Sequence, residues 1–305
     1  MMFSQVIECV PNFSNGRDPE VLQKIMAPFY AEKEVKVLDY SQDEDHNRAV
    51  VTVIGTAAGL ERSMVRAAGL AAELIDLRKH EGAHPRMGAT DVVPFIPIRN
   101  ATVEDCDALA RRVGQSIAEK YGIPVYLYEE SATRPERQNL ANIRKGQFEG
   151  FAEKIKDPAW APDFGQAEVH PSAGVTAVGA REPLIAYNIN LGTDNLDIAT
   201  AIAKKIRFIG GGFRYCKAMG VDLADRGIVQ VSINMTNYKK THLYQVFSAV
   251  KTEAARYGVP VIGSEVIGLL PMEALVDTAM YYLQLEGFET SQVIEARLLE
   301  DDDEK

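Results

Sequence analysis

The five residues Tyr121-Gly122-Ile123-Pro124-Val125 return as Tyr257-Gly258-Val259-Pro260-Val261. Their surroundings return with them. At the same offset, an apolar strand pattern at 92–98 falls on one at 228–234, and an amphipathic helix pattern at 102–121 falls on one at 241–257. A strand, a helix, a junction and a second strand thus recur in register, which directs the chain toward two related α+β units. The second half reads strand, helix, strand, strand, helix, strand, the ferredoxin-like order. The first half holds the same parts, an extra strand–helix unit and a polar loop. A chain of 305 residues is long enough for two domains. The expected class is α+β: two ferredoxin-like subdomains packed together, divided as 1–183 and 184–305, with a ligand groove between them.

Local signals fill in this frame. A buried strand at 6–10 ends at the polar turn 11–16. Asp18 as N-cap and Pro19 at the first helical position predict a helix over 19–31. Strands at 35–40 and 49–55 flank a charged tip, 41–48, that carries His46, Asn47 and Arg48. A long Ala- and Leu-rich helix spans 57–77. Pro94 and Pro97 argue that the strand 92–98 is an edge strand or irregular at its ends. A polar helix is expected after residue 131, with Arg134, Glu136, Arg137, Arg144 and Lys145. The Pro- and Gly-rich stretch 156–174 reads as a crossover and as one wall of a cleft. Gly210-Gly211-Gly212 follows a helix at 196–206 and reads as a turn rather than a phosphate cradle, leading into a strand at 213–219. Thr241 is the expected cap of the next helix, a strand follows at 259–263, and a terminal helix covers 272–285. The charged tail 301–305 is expected to be disordered.

The richest loop is His80-Glu81-Gly82-Ala83-His84-Pro85-Arg86-Met87-Gly88-Ala89-Thr90-Asp91. Two glycines within it and a proline oppose a regular helix, so His, Arg, Glu and Asp are presented on a loop between regular elements. His80 and His84 have an i, i+4 spacing that binds zinc on a helix. Gly82 and Pro85 weaken that helix and no third ligand is evident, so no metal is expected. A serine nucleophile lacks a GxSxG elbow. A single histidine acting as base and acid is the simplest chemistry, and His84, accompanied by Arg86 and Asp91, is the leading candidate.

Charge and cysteine usage exclude other classes. The net charge of −10 disfavours a nucleic-acid partner. It also disfavours an RNA-binding pair of ferredoxin-like domains, which would need a basic face. No apolar run is long enough to span a membrane, and the N-terminus lacks the pattern of a signal peptide. Three dispersed cysteines make neither a disulfide framework nor a metal clip. A cytoplasmic setting is expected.

Several stretches together resemble the glutamate formimidoyltransferase (formiminotransferase) family: IECVPNFSNGR at 7–17, DEDHNRAVVTVIG at 43–55, KHEGAHPRMGATDVVPFIP at 79–97, PVYLYEES at 124–131, WAPDFG at 160–165, AYNINLGT at 186–193 and VPVIGSEVIGLLP at 259–271. The resemblance covers nearly the whole chain and is similar to the stand-alone form of the enzyme. It implies transfer of a formimino group from N-formimino-L-glutamate to N5 of tetrahydrofolate, a late step of histidine degradation. It also implies two ferredoxin-like subdomains with folate in the groove, and a homodimer. His84, in the HPRMG block, falls on the family's catalytic histidine. The folate segment falls on Gly165, Gln166, Ala167, Glu168, Val169, His170, Pro171, Ser172, Ala173 and Gly174. Ala173 departs from the family, since vertebrate relatives carry an aromatic residue in this segment, so pterin stacking is expected to differ.

Residue type and position nominate further substrate contacts. Arg48 or Arg86 would clamp a glutamate carboxylate, because a guanidinium matches it bidentately. Asn12, Asn188 and Asn190 would hydrogen-bond the pterin or the formimino group. Tetrahydrofolate is the expected co-substrate. Two alternatives stay open at this level: transfer of a formyl group from N-formylglutamate, and a non-catalytic folate-binding protein. The intact acid–base histidine counts against the second.

Overall fold

The computed structural model describes residues 4–300, and the charged tail 301–305 lies outside the described residues. The chain forms two compact units, Met1–Arg181 and Glu182–Lys305. Among the described residues no helix is long and apolar enough to cross a membrane.

In the first unit, β1 (Val6–Cys9) and β2 (Asn12–Phe13) act as one strand interrupted at Val10-Pro11, since both pair with β4 (Arg48–Gly55) and β5 (Thr90–Arg99). Asp18 accepts the Val21 amide and Pro19 occupies the first turn, so α1 (Pro19–Ala31) begins where its cap requires. β3 (Val35–Asp43) pairs antiparallel with β4, and α2 (Ala57–Leu74) returns the chain to β5. A further segment follows: α3 (Val103–Tyr121), β6 (Val125–Glu129), the short helices α4 (Leu140–Arg144) and α5 (Gln147–Lys154), and β7 (Thr176–Ala180). β7 inserts between β5 and β6, parallel to both.

Alternation sets the layers. Ile7, Cys9, Val51, Val53, Val93 and Phe95 join Leu22, Ile25, Leu60, Met64, Leu109 and Val113 of the three long helices in one core. Phe13, Phe29 and Phe95 are fully buried in it, each worth roughly 1.5–3 kcal/mol relative to exposure. A second cluster of Met87, Val92, Tyr126, Tyr128, Ile143, Phe151 and Val175 seats α4 and α5.

The second unit runs β8 (Ile185–Leu191), α6 (Leu196–Ile206), β9 (Cys216–Leu223), β10 (Ile228–Met235), α7 (Leu243–Arg256), β11 (Val261–Ile267), α8 (Met272–Leu283) and α9 (Ile294–Glu300). Its sheet has the order β11-β8-β10-β9, antiparallel throughout. Ile189, Leu191, Val229 and Val231 pack against Ile202, Val246 and Val250. Asn188, Asn190, Gln230, Ser232 and Glu265 share the opposite face by register.

The internal echo has a local cause. It matches β5–α3–β6 with β10–α7–β11, two strand–helix–strand units whose strands run parallel with one strand between them. The β-α-β-β-α-β runs instead set β5 against β11, so the echo is out of phase with them. What repeats is a helix ending: Gly122 and Gly258 both stop their helices at φ 68, a left-handed conformation that glycine adopts without strain.

Several expectations are corrected. β5 is not an edge strand. Pro94 lies opposite the break between β1 and β2, where its missing N–H interrupts no ladder bond, and Pro97 lies past the end of the β7 pairing. The polar helix expected after residue 131 is a 3-10 turn at Pro135–Arg137 followed by α4 and α5, because Asn139 caps a new helix and Gly146 turns left-handed at φ 96. β9 and β11 begin later than expected, His242 rather than Thr241 caps α7, and α9 was not anticipated.

The stretch around Trp160 is docked rather than loose. Arg137, 1% exposed, donates to Asp163 Oδ2 at 2.8 Å and to the carbonyls of Ala159 and Ala161 at 3.0 and 2.6 Å. Asp163 also takes the Leu127 amide of β6 at 2.8 Å. Asp163→Ala leaves that guanidinium buried without its counter-charge and is expected to destabilise this unit by about 3–5 kcal/mol. Trp160, the chain's sole tryptophan, reports the urea transition. A loss below about 1 kcal/mol would show that the pair does not anchor the segment.

Candidate functional site

The loop 80–91 is fixed from two sides. On one side lies the β3–β4 hairpin tip. Ala83 donates its amide to the Asp45 carbonyl at 3.0 Å, Asn47 Nδ2 donates to the Glu81 carbonyl at 2.9 Å, and His80 Nε2 donates to the Asn47 carbonyl at 2.9 Å. On the other side lies the backbone of 172–175. Leu77 donates to the Ser172 carbonyl, Ala89 to that of Ala173, and Val175 to that of Met87, each at 2.9 Å. Gly88 and Gly174 permit this approach: a Cβ on Gly88 would come within 2.1 Å of the Val175 carbonyl oxygen, and one on Gly174, at φ 71, within 2.1 Å of that of Met87. The end of the segment 165–174 and the loop bearing His84 are therefore one structural piece.

Beneath it sits a fully buried carboxylate. Asp91 Oδ2 accepts from Arg48 Nη1 at 2.9 Å and from Arg144 Nη2 at 2.7 Å, while Oδ1 accepts the Met87 amide at 2.8 Å. Burial pushes Asp91 up, but Arg48 and Arg144 outweigh it and hold its carboxyl below the ordinary range. Arg48 also donates Nε to Asn12 Oδ1 at 3.0 Å and places Nη1 3.2 Å from His84 Nδ1. The Pro85 carbonyl, 2.6 Å from the same Nδ1, can only accept. Nδ1 therefore carries the hydrogen, and Nε2 keeps its lone pair. Burial, then the charges of Arg48 and Arg144, push His84 down to about 4, so the ring is a neutral base across the ordinary pH range.

The other candidates fall into distinct places. His80 uses both ring nitrogens, accepting from Arg86 Nε at 3.2 Å and donating to Asn47, which ties it into the scaffold. Arg86 grips Glu149 bidentately at 2.8 and 2.6 Å, so a substrate carboxylate would first have to displace Glu149. His46 pairs with Asp43 at 2.8 Å, and its ring and that of His84 lie at 64° with centroids 6.3 Å apart. Asn12 orients Arg48. His170 Nδ1 accepts the Ala173 amide at 3.0 Å and closes a turn.

Within the segment 165–174 expected to meet folate, Gly165, Gln166, Ala167, Glu168 and Pro171 are exposed, Val169, His170 and Ser172 half-buried, and Ala173 and Gly174 buried. Asn188 and Asn190 lie on β8 of the second unit. Asn190 Oδ1 takes Gln230 Nε2 at 2.8 Å, and Gln230 also donates to Glu265 at 2.5 Å. Arg144 was missed in the sequence, where it reads as one more charge on a polar helix. Only its contact with Asp91, 53 residues away, distinguishes it. Among the described residues no group of three or more His, Cys, Asp or Glu side chains is placed to hold a metal ion. Burial pushes the Cys216 thiol up to about 12 and Cys9 well above its ordinary value, so neither supplies a thiolate nucleophile.

Comparison with known proteins gives a consistent result. Residues 6–181 match the model of the formiminotransferase domain, N-terminal subdomain, and residues 186–299 that of the formiminotransferase domain. The chain is 53% identical over 297 residues to a glutamate formimidoyltransferase of Streptococcus pyogenes serotype M1, covering 97% of this chain and 99% of that one. It is 44% identical over 295 residues to a glutamate formimidoyltransferase of Thermoplasma acidophilum, covering 96% and 97%. It is 40% identical over 289 residues to a formimidoyltransferase-cyclodeaminase of Mus musculus, covering 93% of this chain and 53% of that protein.

The imidazole of His84 is expected to remain neutral, with its hydrogen on Nδ1, well below the ordinary value of 6.5 and to titrate near about 4. Nitrogen NMR of selectively labelled histidine reads both tautomer and midpoint. A midpoint near 6.5, or a hydrogen on Nε2 in the neutral form, would contradict this geometry. The unfolded chain binds that proton first, so this residue's linkage lowers stability as pH falls from about 6.5 to about 4.

Proposed function

The chain belongs to the formiminotransferase family, and from that premise we propose that it transfers the formimino group of N-formimino-L-glutamate to N5 of tetrahydrofolate, releasing L-glutamate. It is a transferase of one-carbon groups acting in histidine degradation. Each unit is proposed to be a ferredoxin-like fold, with the folate segment 165–174 contributing to a ligand groove. The proposed setting is the cytoplasm. A homodimer is carried over from the family alone.

One observation supports the chemistry above all: a neutral histidine with one nitrogen fixed by a backbone carbonyl and the other left as a base. N5 attacks the formimino carbon and a tetrahedral carbon forms between N5 and the glutamate nitrogen. His84 Nε2 takes the proton from N5 and passes it to the glutamate nitrogen. The bond from that nitrogen to the transferred carbon then breaks, the C=N bond re-forms on the folate side, and the histidine ends neutral as it began. A group that starts unprotonated and gives up what it takes suits this exchange. Arg48 is the proposed carboxylate contact, and Asn12 acts through it. Asn188 and Asn190 are proposed to meet the pterin or the formimino group.

The test is turnover of purified protein with tetrahydrofolate and either N-formimino-L-glutamate or N-formyl-L-glutamate, read as the methenyl chromophore formed on acidification. The formimino donor is expected to be the better substrate. His84→Ala is expected to lower kcat about 10²–10⁴-fold while tetrahydrofolate still binds. Undiminished turnover in a folded His84→Ala variant would move the acid–base role elsewhere. Turnover of the formyl donor alone would replace the proposed substrate.

A further inference from the structure

Arg48 and Arg144 together present more positive charge than their surroundings neutralise. Both donate to the same oxygen of Asp91. Their side chains are 9% and 16% exposed, and Asp91 is 0% exposed. Glu149 is held by Arg86 and Asp43 by His46. His80 and His84, both held below their ordinary values first by burial, bring no negative charge. Two cations thus share one anion in a place largely withdrawn from water, where an unmatched charge is costly.

The unused donors point to what completes the balance. Arg48 Nη2 and Arg144 Nη1 make no hydrogen bond among the described residues, and neither is sealed from solvent. Arg144 Nε is buried without a partner among the described residues. Two guanidinium groups pinned to one carboxylate oxygen, each with a free N–H, form a preorganised seat for a second carboxylate.

We propose that Arg48 and Arg144 jointly bind the α-carboxylate of the donor, the carboxylate on the carbon that bears the departing amine. This rests on the formimino-transfer reading. The choice of the α-carboxylate follows from Arg48 Nη1 lying 3.2 Å from the imidazole of His84. The group that protonates the departing amine must lie beside the carbon bearing it, and the α-carboxylate is attached to that carbon. The γ-carboxylate is removed by two methylene groups. Asp91 sets the spacing of the seat, and the incoming carboxylate fills it.

The experiment compares three donors on wild type and Arg144→Gln: N-formimino-L-glutamate, its α-carboxamide and its γ-carboxamide. Wild type is expected to lose about 10–100-fold in kcat/KM on the α-carboxamide and much less on the γ-carboxamide. Arg144→Gln is expected to lose a similar factor on the parent donor, to discriminate little between parent and α-carboxamide, and to keep the tetrahydrofolate KM. Arg144→Lys, which keeps the charge but not the fork, is expected to recover part of the loss. A merely structural role would penalise all three donors alike, and that outcome overturns the proposal. A rise confined to the tetrahydrofolate KM also overturns it, as does wild type using the α-carboxamide as well as the parent. The wild-type donor comparison decides the matter even if the variants fail to fold. Absence of turnover with the parent donor would overturn the formimino-transfer reading itself, whereas turnover without α-carboxyl discrimination overturns the seat alone.

Discussion

The candidate site depends on the buried carboxylate of Asp91. It gathers the first residue of β4, the backbone of the HPRMG loop and the last residue of α4 around two oxygen atoms. Without it two guanidinium groups would repel one another in a poorly solvated space, and the loop bearing His84 would lose the bond that holds Met87. The same carboxylate moderates the electrostatics. Two arginines alone would make the site strongly cationic. With Asp91 between them, one surplus charge remains, which adds to burial in keeping His84 unprotonated and leaves room for one anion.

Around that hub the loops are held by backbone hydrogen bonds rather than by long side chains. The hairpin tip grips the loop 80–84 through Asp45 and Asn47, and the strand-like pairing of 87–89 with 172–175 closes the other side. A base must sit within hydrogen-bonding reach of the proton it moves, so a loop carrying one has to be as well fixed as a strand. Arg86 and His80 serve that fixing, and their polar groups are largely spent on it. The surfaces left for the proposed substrates are the exposed part of the segment 165–171, Nε2 of His84 and the outward N–H groups of Arg48 and Arg144.

Much of this was legible in the sequence. The helix start at Asp18-Pro19 is local chemistry, and it falls where its cap placed it. The strand alternation and the order of elements in the second half came through for the same reason: hydrophobic period depends on near neighbours alone. The histidine-rich loop was marked by residue types that no plain connector needs. Where the reading erred, a distant partner had overridden the local pattern. Pro94 looks like an edge residue until β2 is seen to begin just beyond it. Arg137, in what reads as a polar helix, is one of the most deeply buried side chains of the chain because Asp163 and two carbonyls meet it.

The sequence by itself therefore determined most of the elements, their order and the loop that carries His84, since caps, turns and periodicity act over a few residues. Only the tertiary structure decided which charged groups are spent and which are free. Arg48, Arg86, Arg137 and Arg144 are equivalent as letters. Their roles were settled by which carboxylate each one reached across 26 to 63 residues of chain: Asp163 for Arg137, Glu149 for Arg86, and Asp91 for Arg48 and Arg144 together. Ion pairing depends on distance and burial, and neither quantity exists until the chain has folded.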